Sequence, residues 1–417
     1  MKRISATVLA VIFISAVTMT WTSRHAVAGP AGEVAEPAEG ESASIAHRIR
    51  GRRFPSIFEA WNPAQNLRND PSTSAVPLSS IETPTATTAR HDLYWAGPGM
   101  GLKLAGNQQY AILSPEFTPE SIAVARKNRD ALLDQNPDML ILAELHYYSA
   151  PVNFLPADSP FWLPGSAIDN GGRLLDFANP AFQDKAAALC GALVKTGVYD
   201  GCMLDWWSDK TQVADRVSLI QKIRAAVSEK AILMGNVNGQ IPTHTAQWLN
   251  GMYMEGFGST FFPDWRTAAQ NLRWGDANLR KPAITALEGW WSIGREQYPL
   301  MREVTTLALV FSNGYVLFSD PNALPTPDHL HDWYRFWTRS LGRPVGPLAD
   351  PDHPTLDGAY TRRFEKGEAV FNPPSNHPVV VRFERPRHSV ATDTTGQSFT
   401  VAAGDGDLFI RTSPDDQ

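Results

Sequence analysis

The chain has 417 residues, 43% of them hydrophobic and 10% aromatic, with 13 tryptophans. That is enough apolar material for a large core, and one big domain with a smaller companion is expected. The formal net charge is −6 and no basic cluster occurs in the body of the chain, which excludes nucleic acid as an expected partner.

Residues 1–28 read as a secretory signal. Lys2 and Arg3 give the positive start, an apolar stretch runs from Ala6 to Met19, and Ala26-Val27-Ala28 supplies a small-x-small cleavage site before Gly29. The apolar run is short for a membrane span and no second candidate follows. The expectation is a secreted or periplasmic protein, not inserted in a membrane once the signal is removed, and a monomer. Residues 29–52, rich in Ala, Glu, Gly and Ser, read as a disordered spacer.

From about residue 53 to 344, apolar runs of strand length alternate with helical patterns, the sequence sign of βα units. Eight candidate strands are Pro55–Trp61, Asp92–Gly97, Met139–Glu144, Gly201–Asp205, Ala231–Asn236, Gly251–Glu255, Ala283–Glu288 and Tyr315–Asp320. Tyr110–Ser114 is a ninth run that could displace one of the first two. Near-continuous apolar strands are expected where both faces are covered. The fold class predicted is α/β, a (β/α)8 TIM barrel. Between strands, Asn179-Pro180 opens a helix that stops near Gly197. Val213–Val227 is amphipathic, and Pro327–Ser340 is a last helix with Trp333, Phe336 and Trp337 on one stripe. Residues 345–417 change to short alternating runs and turns, predicting a small C-terminal antiparallel β-domain.

The two cysteines, Cys190 and Cys202, fall in a helix pattern and a strand pattern. An exported chain permits a disulfide, and two separate buried thiols fit equally. The ten histidines are taken as scattered, with no H-E-x-x-H spacing or zinc-like cluster, so no metal and no cofactor are expected. The absence of a G-x-S-x-G elbow, a P-loop and a G-x-G-x-x-G turn argues against esterase and nucleotide chemistry.

The strand tips carry the chemistry. Glu59, Glu144, Asp205, Glu255, Glu288 and Asp320 lie at or near the ends of their strands, and aromatics follow most of them. Barrel closure would gather these acids around one mouth. Crowded, partly dry carboxyls acquire raised pKa values, and a protonated acid beside an ionised one is what glycoside hydrolysis requires. Asp205 and Glu255 each end a hydrophobic run as its first acid, so they are the candidate catalytic pair. Glu288 is a third candidate that could replace Glu255. Candidate substrate-binding residues are Glu59, Glu144, His146, Tyr147, Trp206, Trp207, Asn236, Glu288, Trp290, Trp291 and Asp320. Simple core or capping roles compete for each. A carbohydrate-binding barrel without catalysis, and a deacetylase or metal-assisted barrel hydrolase, are the rival readings.

Three segments carry a resemblance. FANPAFQDK with GVYDGCMLDWW resembles a signature of glycoside-hydrolase-like (β/α)8 proteins, NGMYMEGF resembles their strand-six segment, and GYVLFSDP with YTRRFEKGEAVFNP resembles their last strand leading into a β-domain. The nearest type is the hypothetical glycoside hydrolase family 15 type, unrelated to the glucoamylases, within the α-galactosidase and polygalactosaminidase-like assemblage. The resemblance covers roughly residues 53–412. It implies that Asp205 is the nucleophile, that Glu255 is the acid/base, and that a polysaccharide or oligosaccharide is the substrate. Glu255 stands where many relatives have Asp, which leaves the stereochemistry open.

Overall fold

A computed structural model describes residues 44–61, 83–166, 172–258, 264–321 and 329–412. The expected signal, and the spacer up to residue 43, lie outside the described residues. Eight parallel strands form one sheet: β1 (Phe58–Ala60), β2 (Leu93–Ala96), β3 (Leu140–Glu144), β6 (Gly201–Leu204), β7 (Ile232–Asn236), β8 (Gly251–Phe257), β9 (Ile284–Trp290) and β10 (Tyr315–Ser319), paired in that order. The ring closes where Ile57 bridges Val316, with the Val316 N–H donating to Ser56 at 2.9 Å. The short hairpin β4 (Ser149–Pro151) and β5 (Gly172–Leu174) sits in the β3 loop. The barrel is the predicted one, and all eight predicted strands are found. The Tyr110–Ser114 run forms turns instead.

The helical layer is less regular than a (β/α)8 reading implies. The helix Pro180–Lys195 begins as predicted, with the Asn179 side chain accepting from the Ala181 N–H, and Val213–Ala226 follows β6. Between β7 and β8, residues 237–250 contain turns and no helix. Gly239 and Pro242 break the local pattern, and Arg224 reaches across the gap to the carbonyls of Ala231 and Trp248. The predicted helix over Pro327–Ser340 is corrected: among its described residues only Arg335–Thr338 is helical, one short 3₁₀ turn. Its aromatic stripe is core, since Phe336 and Trp337 are buried.

Part of the expected spacer is ordered. Ile45–Gly51 forms a helix capped by Ser44, and it seals the floor of the barrel. Its Arg48 is buried and pairs with Asp200, just before β6, while donating to the Met139 carbonyl at 2.6 Å. The cysteines are joined as a disulfide, Cys190–Cys202. Period-two alternation explains why: Met203 faces the barrel interior, so Cys202 faces outward onto the helix that precedes its strand.

The C-terminal sheet is antiparallel, in the order β11 (Tyr360–Phe364), β12 (Gly367–Asn372), β15 (Asp405–Arg411), β13 (Val379–Ser389), β14 (Thr394–Val401). It packs on the helices Trp265–Asn278 and Tyr298–Phe311 through Trp265, Phe311, Tyr360 and Phe371, whose ring centroids lie 5.0–6.2 Å apart. Arg302 locks the contact with two 2.8 Å bonds to Asp405. Among the described residues no helix is long and apolar enough to cross a membrane.

Candidate active site

Strand alternation decides which acids reach the barrel mouth. On β3, β8 and β9 the inward residues are Glu144, Glu255 and Glu288, and Asp205 continues the inward row of β6. On β1 the inward residue is Phe58, which stacks on Trp95 at 5.0 Å. Its neighbour Glu59 therefore points outward. This corrects the expected substrate role: Glu59 is 0% exposed, and His91 Nδ1 lies 3.5 Å from its carboxylate. Neither Glu59 oxygen has a hydrogen-bond partner among the described residues, and burial pushes the carboxyl well above its usual range.

The centre of the mouth is organised by one amide. Asn236 Nδ2 donates to Asp205 Oδ1 at 2.8 Å and to Glu255 Oε2 at 2.6 Å. Its own carbonyl oxygen accepts from the Asn238 N–H at 3.2 Å, which fixes the orientation of the amide. Both amide hydrogens are thus spent on carboxylates, and the bonded oxygens are no farther apart than two hydrogen bonds end to end. Asn236, expected to bind hydroxyls, instead holds the acid pair.

Local backbone features aim the two acids. β8 carries one extra residue relative to β9 between Met254 and Phe257, a bulge made possible by Gly256 at φ 81°. Glu255 sits on that bulge. After Asp205 the chain turns at once through Trp206 in the left-handed region, φ 56°, a conformation costly for a bulky side chain. The turn is held by Trp207, whose N–H donates to the Asn236 carbonyl at 2.7 Å and whose indole donates to Thr245 Oγ1 at 3.0 Å. Gly235 is required beneath it, because a Cβ there would lie 2.9 Å from Trp207 Cβ.

The electrostatics separate the acids. Asp205 is partly exposed and Glu144, Glu255 and Glu288 are buried. Desolvation, then the charge of Glu144, raises Asp205 to about 6, against the Asn236 bond. Desolvation raises Glu255 to about 7, with His329 opposing and Glu288 and Asp205 adding to it. Glu288 behaves in the opposite way. Burial alone would raise it, but the charge and hydrogen bond of His329, with donation from Ser319 and Tyr253, hold it below the usual range. Glu288 Oε1 accepts from His329 Nδ1 at 2.8 Å and from Ser319 Oγ, and Oε2 accepts from Tyr253. At 0% exposure and with both oxygens occupied, it is not placed to protonate a leaving group or to touch a sugar.

The remaining candidates divide into rim and scaffold. Trp206 is 55% exposed and stacks on Tyr148, ring centroids 5.9 Å apart. Trp290 is half-buried at the end of β9, and His146 is half-buried with Nδ1 3.4 Å from Glu144. These line the mouth. Trp207 and Tyr147, each 1% exposed, do not. Tyr147 donates to the Trp206 carbonyl at 2.7 Å and props up the turn. Trp291 faces the outer layer against Phe318, 5.7 Å between centroids. Asp320 is buried at the end of β10, its N–H donating to the Leu330 carbonyl at 2.8 Å.

Sequence reasoning missed His329, Tyr253 and Ser319, and left Trp61 off the site. Trp61 stacks on His329 at 4.7 Å. Reading the histidines as scattered overlooks His329-Leu330-His331, whose H-x-H spacing was the available signal. Glu255, Glu288 and His329 each offer an atom within 4.8 Å of the others. Both Glu288 oxygens already accept from N–H and O–H donors, while the His329–Glu255 contact is an ion-pair distance of 3.8 Å.

No protein-family profile matches the chain, and no curated protein matches it by sequence. Solved structures of similar outline are glycoside hydrolases. An α-amylase from Malbranchea cinnamomea is 11% identical with a TM-score of 0.48, covering 89% of this chain and 98% of that one. A GH27 β-L-arabinopyranosidase from Geobacillus stearothermophilus is 11% identical with a TM-score of 0.45, covering 89% and 99%. The glycoside hydrolase domain of PelA from Pseudomonas aeruginosa is 13% identical with a TM-score of 0.36, covering 64% and 95%. At these scores the likeness carries no argument about activity, which rests on the site itself.

Proposed function

We propose that the chain is an exported glycoside hydrolase that cleaves a polysaccharide or oligosaccharide with Asp205 as nucleophile and Glu255 as general acid/base. One observation carries the reading: a single Asn236 amide spans the two carboxyls. That short span favours a retaining mechanism, in which the carboxyl groups sit roughly 5–5.5 Å apart, over an inverting one, which needs roughly 6.5–9.5 Å for an intervening water.

In the first step Asp205 attacks the anomeric carbon while Glu255 gives its proton to the departing glycosidic oxygen. In the second, Glu255 takes a proton from water, and the resulting hydroxide displaces Asp205. The raised Glu255 supplies a proton near neutral pH, and the lower Asp205 is ionised beside it. Trp206, Trp290 and Trp61 offer aromatic faces for the C–H surface of the sugar. The resemblance to the family 15 type, and a secreted or periplasmic location, belong to the same proposal.

The test is release of reducing ends from a panel of polysaccharides by the wild type, Asp205→Asn and Glu255→Gln. Activity in the wild type and its loss in both variants is the expected result. Full activity in either variant removes that residue from its role. Saccharide retention with no reducing ends released would identify a binding barrel instead.

A further inference from the structure

His329 enters the barrel mouth from the segment after β10 and touches both glutamates of the site. Its Nδ1 donates to Glu288 Oε1 at 2.8 Å, and its Nε2 stands 3.8 Å from Glu255 Oε1, within ion-pair range and beyond a hydrogen bond. The residue is held by further contacts. Trp61 stacks on one face, Tyr253 Oη lies 3.3 Å from Nδ1, and the His329 carbonyl accepts from His331 Nδ1 at 3.1 Å. The residue is 1% exposed, and its backbone adopts φ 56°. A strained, buried histidine held this tightly between two acids has a defined task.

We propose that His329 is a positioning residue for Glu255: clamped by Glu288, it presents Nε2 to the acid/base and stabilises its carboxylate form, so that Glu255 can release its proton to the leaving oxygen. This rests on the reading of Asp205 and Glu255 as the acting pair. Glu288, anionic under three donors, favours the imidazolium. The imidazolium then offsets the desolvation of Glu255. Without that offset Glu255 would hold its proton too firmly to give it to the departing oxygen in the first step. The groups facing Glu255 are Asp205 from the end of β6, Asn236 from β7, Tyr253 from its own strand, Glu288 from β9 and His329 itself. Those facing His329 are Glu255, Glu288, Tyr253 and His331, with the Asp205 charge also felt. Glu288 acts on Glu255 in the opposite sense to His329 and more weakly. The pair therefore works as a unit whose net effect is that of the cation.

The experiment compares wild type, His329→Asn and Glu288→Gln, since Asn accepts the left-handed backbone at residue 329. Two readouts are taken: the pH profile of kcat/KM on a cleaved glycoside, and a ¹³C NMR titration of the glutamate carboxyls in the free protein, with Glu255 assigned through Glu255→Gln. Loss of the cation should move the Glu255 titration and the alkaline limb upward by about one pH unit or more in His329→Asn, and by less in Glu288→Gln, where a cation and an anion are lost together. KM should change less than kcat. An unmoved Glu255 titration in a folded His329→Asn protein overturns the proposal. If the wild type cleaves no glycoside yet the Glu255 titration moves as stated, the positioning role stands and the hydrolase reading falls.

Discussion

Asp200 and Asp205 stand at the two ends of the same strand, five residues apart, and the protein treats them oppositely. At the floor, Asp200 is gripped by Arg48 and Arg129 and accepts the Ile141 N–H at 2.9 Å. Burial alone would raise its carboxyl, but the two guanidiniums hold it below the usual range. At the mouth, Asp205 accepts from the Asn236 amide and the Trp206 backbone N–H, feels the charge of His329 at longer range, and lies beside Glu144 and Glu255. The floor compensates its buried charge with two guanidiniums, and the mouth compensates its acids only in part. Uncompensated acids cost stability, and a fold retains them where their chemistry is used.

Four measurements break or sharpen this contrast. The largest effect expected is on activity: Asp205→Asn should lower kcat/KM by ~10³-fold or more, about 4 kcal/mol of barrel-mouth chemistry, while the melting temperature holds or rises. A parallel fall in stability would make Asp205 structural. Next, Asp200→Asn strands two buried guanidiniums and should cost about 3–5 kcal/mol in a denaturant titration, leaving the pH profile of the remaining folded enzyme in place. Third, reducing Cys190–Cys202 should cost about 3 kcal/mol, since the bridge ties the strand beneath Asp205 to its helix. An unchanged denaturation midpoint after full reduction would show that the bridge is dispensable. Smallest, Trp206→Ala should raise KM several-fold, about 1 kcal/mol, with little change in kcat.

The two ends also differ in the sign of their pH dependence. Asp205 and Glu255 have raised folded-state values, so the fold binds their protons more tightly than the unfolded chain does. Their contribution falls as pH climbs from about 4 through about 6 and about 7. Asp200 is depressed, so its contribution is present above the ordinary carboxylate range and is lost as pH falls through its lower folded value. Activity should be bell-shaped, with an acid limb near 6 for Asp205 and an alkaline limb near 7 for Glu255. Calorimetry across pH should show Asp205→Asn flattening the neutral side and Asp200→Asn the acidic side.

Much of this was legible in sequence because the barrel writes itself in apolar runs that stop at an acid. Position along a strand was readable; the direction a side chain faces was less so. β1 is three residues long, too short for its alternation to announce that Glu59 turns away from the mouth. The rim aromatics were readable as a group, but Trp207 and Tyr147 are spent on supporting the turn after Asp205. The H-x-H spacing marked His329 as worth a look, but its partners were hidden: the contacts to Glu255 and Glu288 span 74 and 41 positions in the chain and are made only by closure of the ring. The floor helix Ile45–Gly51 was hidden for the same reason, since its Arg48 answers to Asp200.

The seating of the C-terminal sheet has a lopsided result. It rests on the two helices that follow β8 and β9, the strands that carry Glu255 and Glu288, and leaves the β6 side of the ring to the disulfide. Each half of the mouth thus has its own brace: a covalent one beneath Asp205, a docked module behind Glu255. Truncation ahead of residue 345 would bare the Trp265–Phe311 surface and loosen the Glu255 side while the Asp205 side stayed fastened.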